Sequence, residues 1–131
     1  VDIVINPLAV ALAALSTFVI GGLWYSLLFG KRWQRAAGVT GETLRTGSPR
    51  VVIGSFAPAL VMAASLAAFI GSGGALLGTA AGLAVGVTWI SAAFGTNYLF
   101  ERRPLILFVI NASYNIVAFT IMGAIIGTMQ G

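Results

Sequence analysis

Cysteine and histidine are both absent from this chain. Without cysteine there is no disulfide framework, no thiolate metal site and no cysteine nucleophile, and the redox compartment leaves no trace in the sequence. Without histidine the commonest general base and metal ligand is missing. Charge is scarce as well. Only 8% of the 131 residues are charged, against ~25% in a soluble domain. The carboxylates are Asp2, Glu42 and Glu101, and none lies inside an apolar stretch. General acid–base catalysis needs titratable groups brought together, and a proton relay needs one at membrane depth. The expectation is therefore no catalytic residues, no metal ligands, no bound cofactor and no enzymatic activity.

What remains is apolar: 59% of the residues are hydrophobic. Crossing ~30 Å of hydrocarbon as a helix takes ~20 such residues. Four stretches qualify, at about 7–29, 51–70, 75–98 and 105–129, and none holds Asp, Glu, Lys or Arg. In lipid each must be helical, because only a helix satisfies its own backbone within one segment. The runs are continuous and do not alternate, which excludes a β-barrel. The fold class read here is all-α integral membrane, a single four-helix transmembrane domain over residues 1–131.

Punctuation supports these limits. Asn6-Pro7 and Ser48-Pro49 read as an N-cap followed by proline at the first helical position, and Pro104 opens the fourth run. Gly71-Ser72-Gly73-Gly74 reads as a tight turn, making the second and third helices antiparallel neighbours. Pro58 falls inside the second run and should kink it. The first run is too long for a cleaved leader and has only Asp2 as an upstream charge, so it reads as a retained helix.

The basic residues are one-sided. Lys31, Arg32, Arg35, Arg45 and Arg50 lie between the first two runs, and Arg102 and Arg103 between the last two. The loops at about 30–50 and 99–104 are then cytoplasmic, with both termini outside. The segment KRWQRAAG mixes Trp33 with Lys31, Arg32 and Arg35 and reads as a short interfacial helix on lipid headgroups. Glu101 could pair with a basic residue of the first loop, or Glu101-Arg102-Arg103 could form a solvated turn on lipid phosphates.

A shift of 65 residues sets Gly21, Trp24, Ser26, Phe29 and Gly30 on Gly86, Trp89, Ser91, Phe94 and Gly95, and Trp33 on Tyr98. The shared G-x-x-W-x-S-x-x-F-G pattern suggests two related hairpins, a parallel repeat about an axis along the membrane normal. At depth an indole N–H wants an acceptor, so Trp24 and Trp89 are expected to face other helices. The alternative is a low position in the aromatic belt.

Gly78, Gly82 and Gly86 recur every four residues in the third run, and Gly123 and Gly127 repeat the spacing in the fourth. Such stripes let a neighbouring backbone come close. Packing within one chain is expected for the third-run glycines, and contact with another chain for Gly123 and Gly127. Asn111, Tyr114 and Asn115 share one face of the fourth helix and should point inward. Thr88, Ser91 or the carbonyl freed by Pro58 are candidate partners. The patch reads either as an interhelical clamp or as a small polar site for a solute or headgroup.

The segments LWYS…LFGKRW (23–33), ERRPL (101–105), NASY (111–114) and MGAIIG (122–127) resemble the "domain of unknown function 1761" family across nearly the whole chain. The resemblance implies a small four-helix protein of the bacterial inner (cytoplasmic) membrane and carries no functional residues. In that family a proline often follows the WYS triplet, whereas here Leu27 follows Ser26. The functional expectation is a non-enzymatic packing or accessory subunit of a homo-oligomer or larger membrane complex, with the bilayer and other subunits as partners and no nucleic acid. The alternative is a small transport or permeation protein for a solute.

Overall fold

The computed structural model describes residues 3–131, except the side chains of residues 43–48. Asp2 and the side chains of Arg45 and Ser48 therefore lie outside the described residues. Helix α1 runs Pro7–Gly22 and passes directly into a π-helical segment, Leu23–Leu28. Then follow α2 (Gly30–Ala37), α3 (Gly41–Ile70), α4 (Gly74–Ala84), a second π segment (Val85–Ile90), α5 (Ser91–Glu101) and α6 (Leu105–Gln130). Among the described residues, four helical stretches are long and apolar enough to cross a membrane: Pro7–Leu28, Pro49–Ile70, Gly74–Glu101 and Leu105–Gln130. They coincide with the four apolar runs to within three residues at each end.

Local chemistry explains most boundaries. The Asn6 side chain accepts from the backbone N–H groups of Leu8 and Ala9, capping α1 with Pro7 in its first turn. Gly38 ends α2 in the left-handed conformation that glycine adopts without cost. One boundary differs from the expectation. The second long helix starts at Gly41, so Pro49 sits inside it and does not open it. Pro58 does not interrupt it either, and the helix is continuous to Ile70.

The two ends of the bundle differ. At one end Gln130 gathers three segments. Its Nε2 donates to the carbonyls of Ala67 (3.1 Å) and Gly71 (2.9 Å), and its Oε1 accepts from the Asn6 N–H (2.8 Å). At the other end Arg32, Arg35 and Ala36 of α2 share a recess with Pro104 and Ile106. Both basic connections thus meet on one end, opposite Asn6, Gly71 and Gln130.

The core lies toward the Gln130 end. Ala9, Ala13 and Ala14 of α1, Ala63, Leu66 and Ala67 of α3, and Met122 and Ile126 of α6 are almost wholly buried there. Small alanines bring the helix backbones close, and Met122 fills the remaining space. Pro58 marks where this packing stops. From Ala59 to Ile70, α3 buries a residue at nearly every turn, whereas none of residues 49–58 is buried. Toward the basic end α3 therefore stands away from α1 and α6, past a last contact in which Phe56 stacks on Phe18 of α1 at 4.8 Å.

Helix α4 packs antiparallel on α6 through the glycine stripes. A Cβ on Gly78 would overlap the Gly123 carbonyl oxygen, and one on Gly82 that of Phe119. From Gly86 a Cβ would lie 2.9 Å from the Ile116 Cα. The α6 glycines face the same seam. A Cβ on Gly123 would overlap the Gly78 carbonyl, and one on Gly127 that of Gly74. The face of Gly123 and Gly127 is thus filled by α4 of the same chain, which corrects their assignment to contact with another chain. The third long helix follows the turn at Gly71–Gly73, but its main neighbour is α6 and not α3.

Candidate functional site: a wedge between three helices

Both π segments contain a tryptophan of the shared pattern. A π turn widens the helix by one residue and shifts the carbonyl register from i−4 to i−5. In the first, the Phe29 N–H donates to the Trp24 carbonyl at 2.9 Å. Gly30 sits close behind, where a Cβ would lie 2.9 Å from the Tyr25 carbonyl oxygen. In the second, the Ser91 hydroxyl donates to the Gly86 carbonyl at 2.7 Å.

The two tryptophans differ. Trp24 Nε1 donates to the Ile110 carbonyl (3.1 Å) and lies 3.3 Å from the Ser113 hydroxyl, and its ring packs on Phe29. It faces α6, as a deep indole should. Trp89 makes no such bond: it is 61% exposed, and its ring meets that of Phe69 on α3 edge-on at 6.2 Å.

The first π segment aims Tyr25 at α6. Its hydroxyl donates to Asn111 Oδ1 at 2.6 Å, and Asn111 Nδ2 donates onward to the Tyr98 hydroxyl at 2.7 Å. One amide thus joins the first, third and fourth long helices. Tyr114 donates to the Thr17 carbonyl at 2.9 Å, and Asn115 Nδ2 to the Asn111 carbonyl at 2.8 Å. Gly21 faces the Tyr114 ring, where a Cβ would sit in ordinary contact at 3.7 Å. The ring of Tyr25 lies 5.2 Å from those of Tyr114 and Trp33.

Asn111, Tyr114 and Asn115 therefore do point inward, but their partners are Tyr25, Tyr98 and Thr17. Thr88 bonds back to the Ala84 carbonyl and Ser91 to Gly86. Those tyrosine partners lie far away in sequence and were not legible from the periodicity of one helix. The hint was that two of the three tyrosines, Tyr25 and Tyr98, lie a few residues before the basic segments. Glu101 lies 3.8 Å from Arg103 of its own turn, both of them largely exposed, and so pairs within ERR; among the described residues no ion pair joins it to the first loop.

Where α3 stands away, a wedge opens. One cavity of about 490 Å³ is lined by residues including Phe18, Gly21, Tyr25, Pro58, Met62 and Tyr114. A second, of about 760 Å³, adjoins it toward the basic end, lined by residues including Ser26, Trp33, Val51, Phe94, Asn111 and Asn115. Tyr25, Val52, Ser55, Tyr114 and Asn115 border both. None of the described residues lining either cavity is Asp, Glu, Lys or Arg.

Two polar groups in this wall have no partner among the described residues. The Ser26 hydroxyl, on an exposed residue at the cavity's edge, makes no hydrogen bond with them, whereas its counterpart in the shared pattern, the buried Ser91, makes one. Asn115 uses its amide N–H, but its Oδ1 accepts nothing. Among the described residues no group of three or more His, Cys, Asp or Glu could hold a metal ion. On α2, Lys31, Arg32 and Arg35 are exposed while Trp33, Ala36 and Ala37 are half-buried, the two faces of an amphipathic helix.

A family model described as "Protein of unknown function (DUF1761)" matches residues 8–127, in agreement with the resemblance read from the sequence. No curated protein and no solved structure matches the chain.

Proposed function

We propose, for a chain that belongs to the DUF1761 family of proteins of unknown function, a non-enzymatic role in accommodating a membrane amphiphile within the wedge. One observation carries this reading: the wedge occupies only the basic-end half of the bundle. Its α1-side lining, from Thr17 to Ser26, covers nine residues of rise, ~14 Å, close to half of a ~30 Å hydrocarbon layer. A transmembrane helix needs the full thickness, whereas a lipid of one leaflet needs half. The Ala13, Ala14 and Ala63 packing closes the other end, so the wedge suits a resident molecule better than a solute passing through one chain.

The rest of the topology follows from the same placement. The basic end lies at the cytoplasmic leaflet of a bacterial inner membrane, with both termini outside. The paired π segments at Trp24 and Trp89, and the two glycines Gly21 and Gly86 that both approach residues 114–116 of α6, support an internal repeat of two hairpins.

The test is native mass spectrometry of the full chain released from vesicles. Bound lipid should be retained by the wild-type protein and lost from Val52→Trp, which fills both cavities. A lipid-free wild-type protein, or equal retention by the variant, would sink the reading.

A second reading, an accessory subunit in a homo-oligomer or larger complex, is favoured by the thin burial of the long helices. Between 22% and 33% of positions in their most apolar windows are buried, which leaves broad surfaces for lipid or other chains. Its former support from Gly123 and Gly127 is gone, since α4 covers them. The same mass measurement tests it through the mass of the intact complex.

A further inference from the structure

We infer that the polar part of the wedge's occupant is uncharged and carries a free hydroxyl, as diacylglycerol does among membrane lipids. The inference rests on the amphiphile reading above and adds the chemistry of the headgroup.

The first argument is electrostatic. A charged group held in a low-dielectric site needs an opposite charge or a dense set of hydrogen bonds. No described residue lining either cavity is charged. The basic residues of α2 point elsewhere. Arg32 and Arg35 border the recess with Pro104, and Lys31 one with Gln34 and Thr40, while Trp33 alone of these turns to the wedge. A phosphate drawn into the wedge would leave its cations behind.

The second argument is the hydrogen-bond account. The tyrosines and Asn111 are committed to one another and to Thr17, so they hold the wall in place. The Ser26 hydroxyl and Asn115 Oδ1 are the groups left over, a donor–acceptor and a pure acceptor lining the same cavity. A ligand hydroxyl complements this pair, donating to Asn115 Oδ1 and accepting from Ser26. A phosphodiester oxygen can only accept and leaves Asn115 Oδ1 unpaired, and a phosphatidate head, even where it keeps a proton to donate, brings at least one negative charge that no described lining residue offsets.

The experiment uses the full chain in phosphatidylcholine vesicles doped equally with dioleoylglycerol and dioleoyl phosphatidate, which share acyl chains and differ by the phosphate. Native mass spectrometry reads the lipid retained. Dioleoylglycerol should be retained at least tenfold over phosphatidate. Ser26→Ala and Asn115→Leu should each cut that preference threefold or more, and Leu27→Ala, on the outward face, should not. Ser26 makes no bond in the fold, so its variant should keep wild-type thermal stability and separates ligand loss from unfolding. Equal or greater retention of phosphatidate, or indifference to both variants, overturns the inference. Retention of phosphatidylcholine alone, abolished by Val52→Trp, would overturn it while leaving the amphiphile reading intact. Retention of no lipid at all would overturn both.

Discussion

Tyr25 and Asn111 are joined by a 2.6 Å hydrogen bond across 86 residues of sequence. Neither residue reaches the other by helical periodicity. The π turn at Leu23–Leu28 swings Tyr25 onto α6, and the closed α4–α6 glycine seam keeps α6 where Asn111 also meets Tyr98. A local widening of one helix and a close approach of two others thus cooperate to build one wall of the wedge. The third wall, α3, is absent from this network and is held by packing beyond Pro58 and by Phe56 stacked on Phe18 of α1 at 4.8 Å.

Tyr25→Phe keeps the ring against Tyr114 and Trp33 but removes the donor to Asn111. An interhelical hydrogen bond in a membrane is worth about 0.6–2 kcal/mol, and the loss in unfolding free energy should fall in that range. Asn111→Leu strands both Tyr25 and Tyr98 and should cost more. Thermal unfolding in detergent measures both. A Tyr25→Phe protein as stable as wild type would mean that the bond contributes nothing to the fold.

Gln130→Leu removes three hydrogen bonds at once and leaves the Asn6 N–H and the Gly71 carbonyl to find water, while the Ala67 carbonyl keeps the Gly71 N–H at 2.9 Å. Leaving buried polar groups unsatisfied costs about 1–3 kcal/mol each where water cannot reach them. The effect should be local. Amide exchange should rise at Asn6 and around Gly71–Gly73, while residues near Tyr25 stay protected. Uniform exchange across the chain, or none, would contradict the clasp.

Apolar run length, together with Pro7 and Pro104, sufficed to locate the four long helices, because each boundary depends on neighbouring residues only. Pro49 misled for the same reason. A proline reads as a helix start, yet α3 begins at Gly41 and runs through Pro49 more than two turns later, as it does through Pro58. The glycine seam was legible as spacing, but which chain fills it was not, since spacing carries no information about the partner. The wedge was invisible, as it depends on where α3 stops packing. So were the π turns, which leave no simple mark in LWYSLL or VGVTWI. Gln130 went unnoticed because one glutamine at a helix end looks solvated until its three partners are known.

The topology is testable with little disturbance because the chain has no cysteine of its own. Single cysteines at Arg32 and Arg102, both exposed, should react with a membrane-impermeant maleimide only after the inner face is opened. A cysteine at Ser72, in the turn beside the Gln130 clasp, should react in intact cells. The reverse pattern would invert the assignment of the basic end to the cytoplasmic leaflet, and with it the leaflet that supplies the wedge.

The tightest packing in the molecule gives a further prediction. Gly82→Ala would place a methyl group into the Phe119 carbonyl oxygen, and backbone cannot rotate aside as a side chain can. The helices must separate or slide, and overpacking of this kind costs about 1–3 kcal/mol. The displacement would also move Asn115 and Asn111, one and two turns along α6, so lipid retention should fall together with thermal stability. Gly22→Ala is the matched control. It lies in the first long helix with nothing within 4 Å of its Cβ position. Alanine there should be neutral or slightly stabilising, since glycine is the poorer helix former by about 0.8–1 kcal/mol in water. If both variants lose stability equally, the α4–α6 seam is not the close contact described, and Gly123 and Gly127 become free again for another chain.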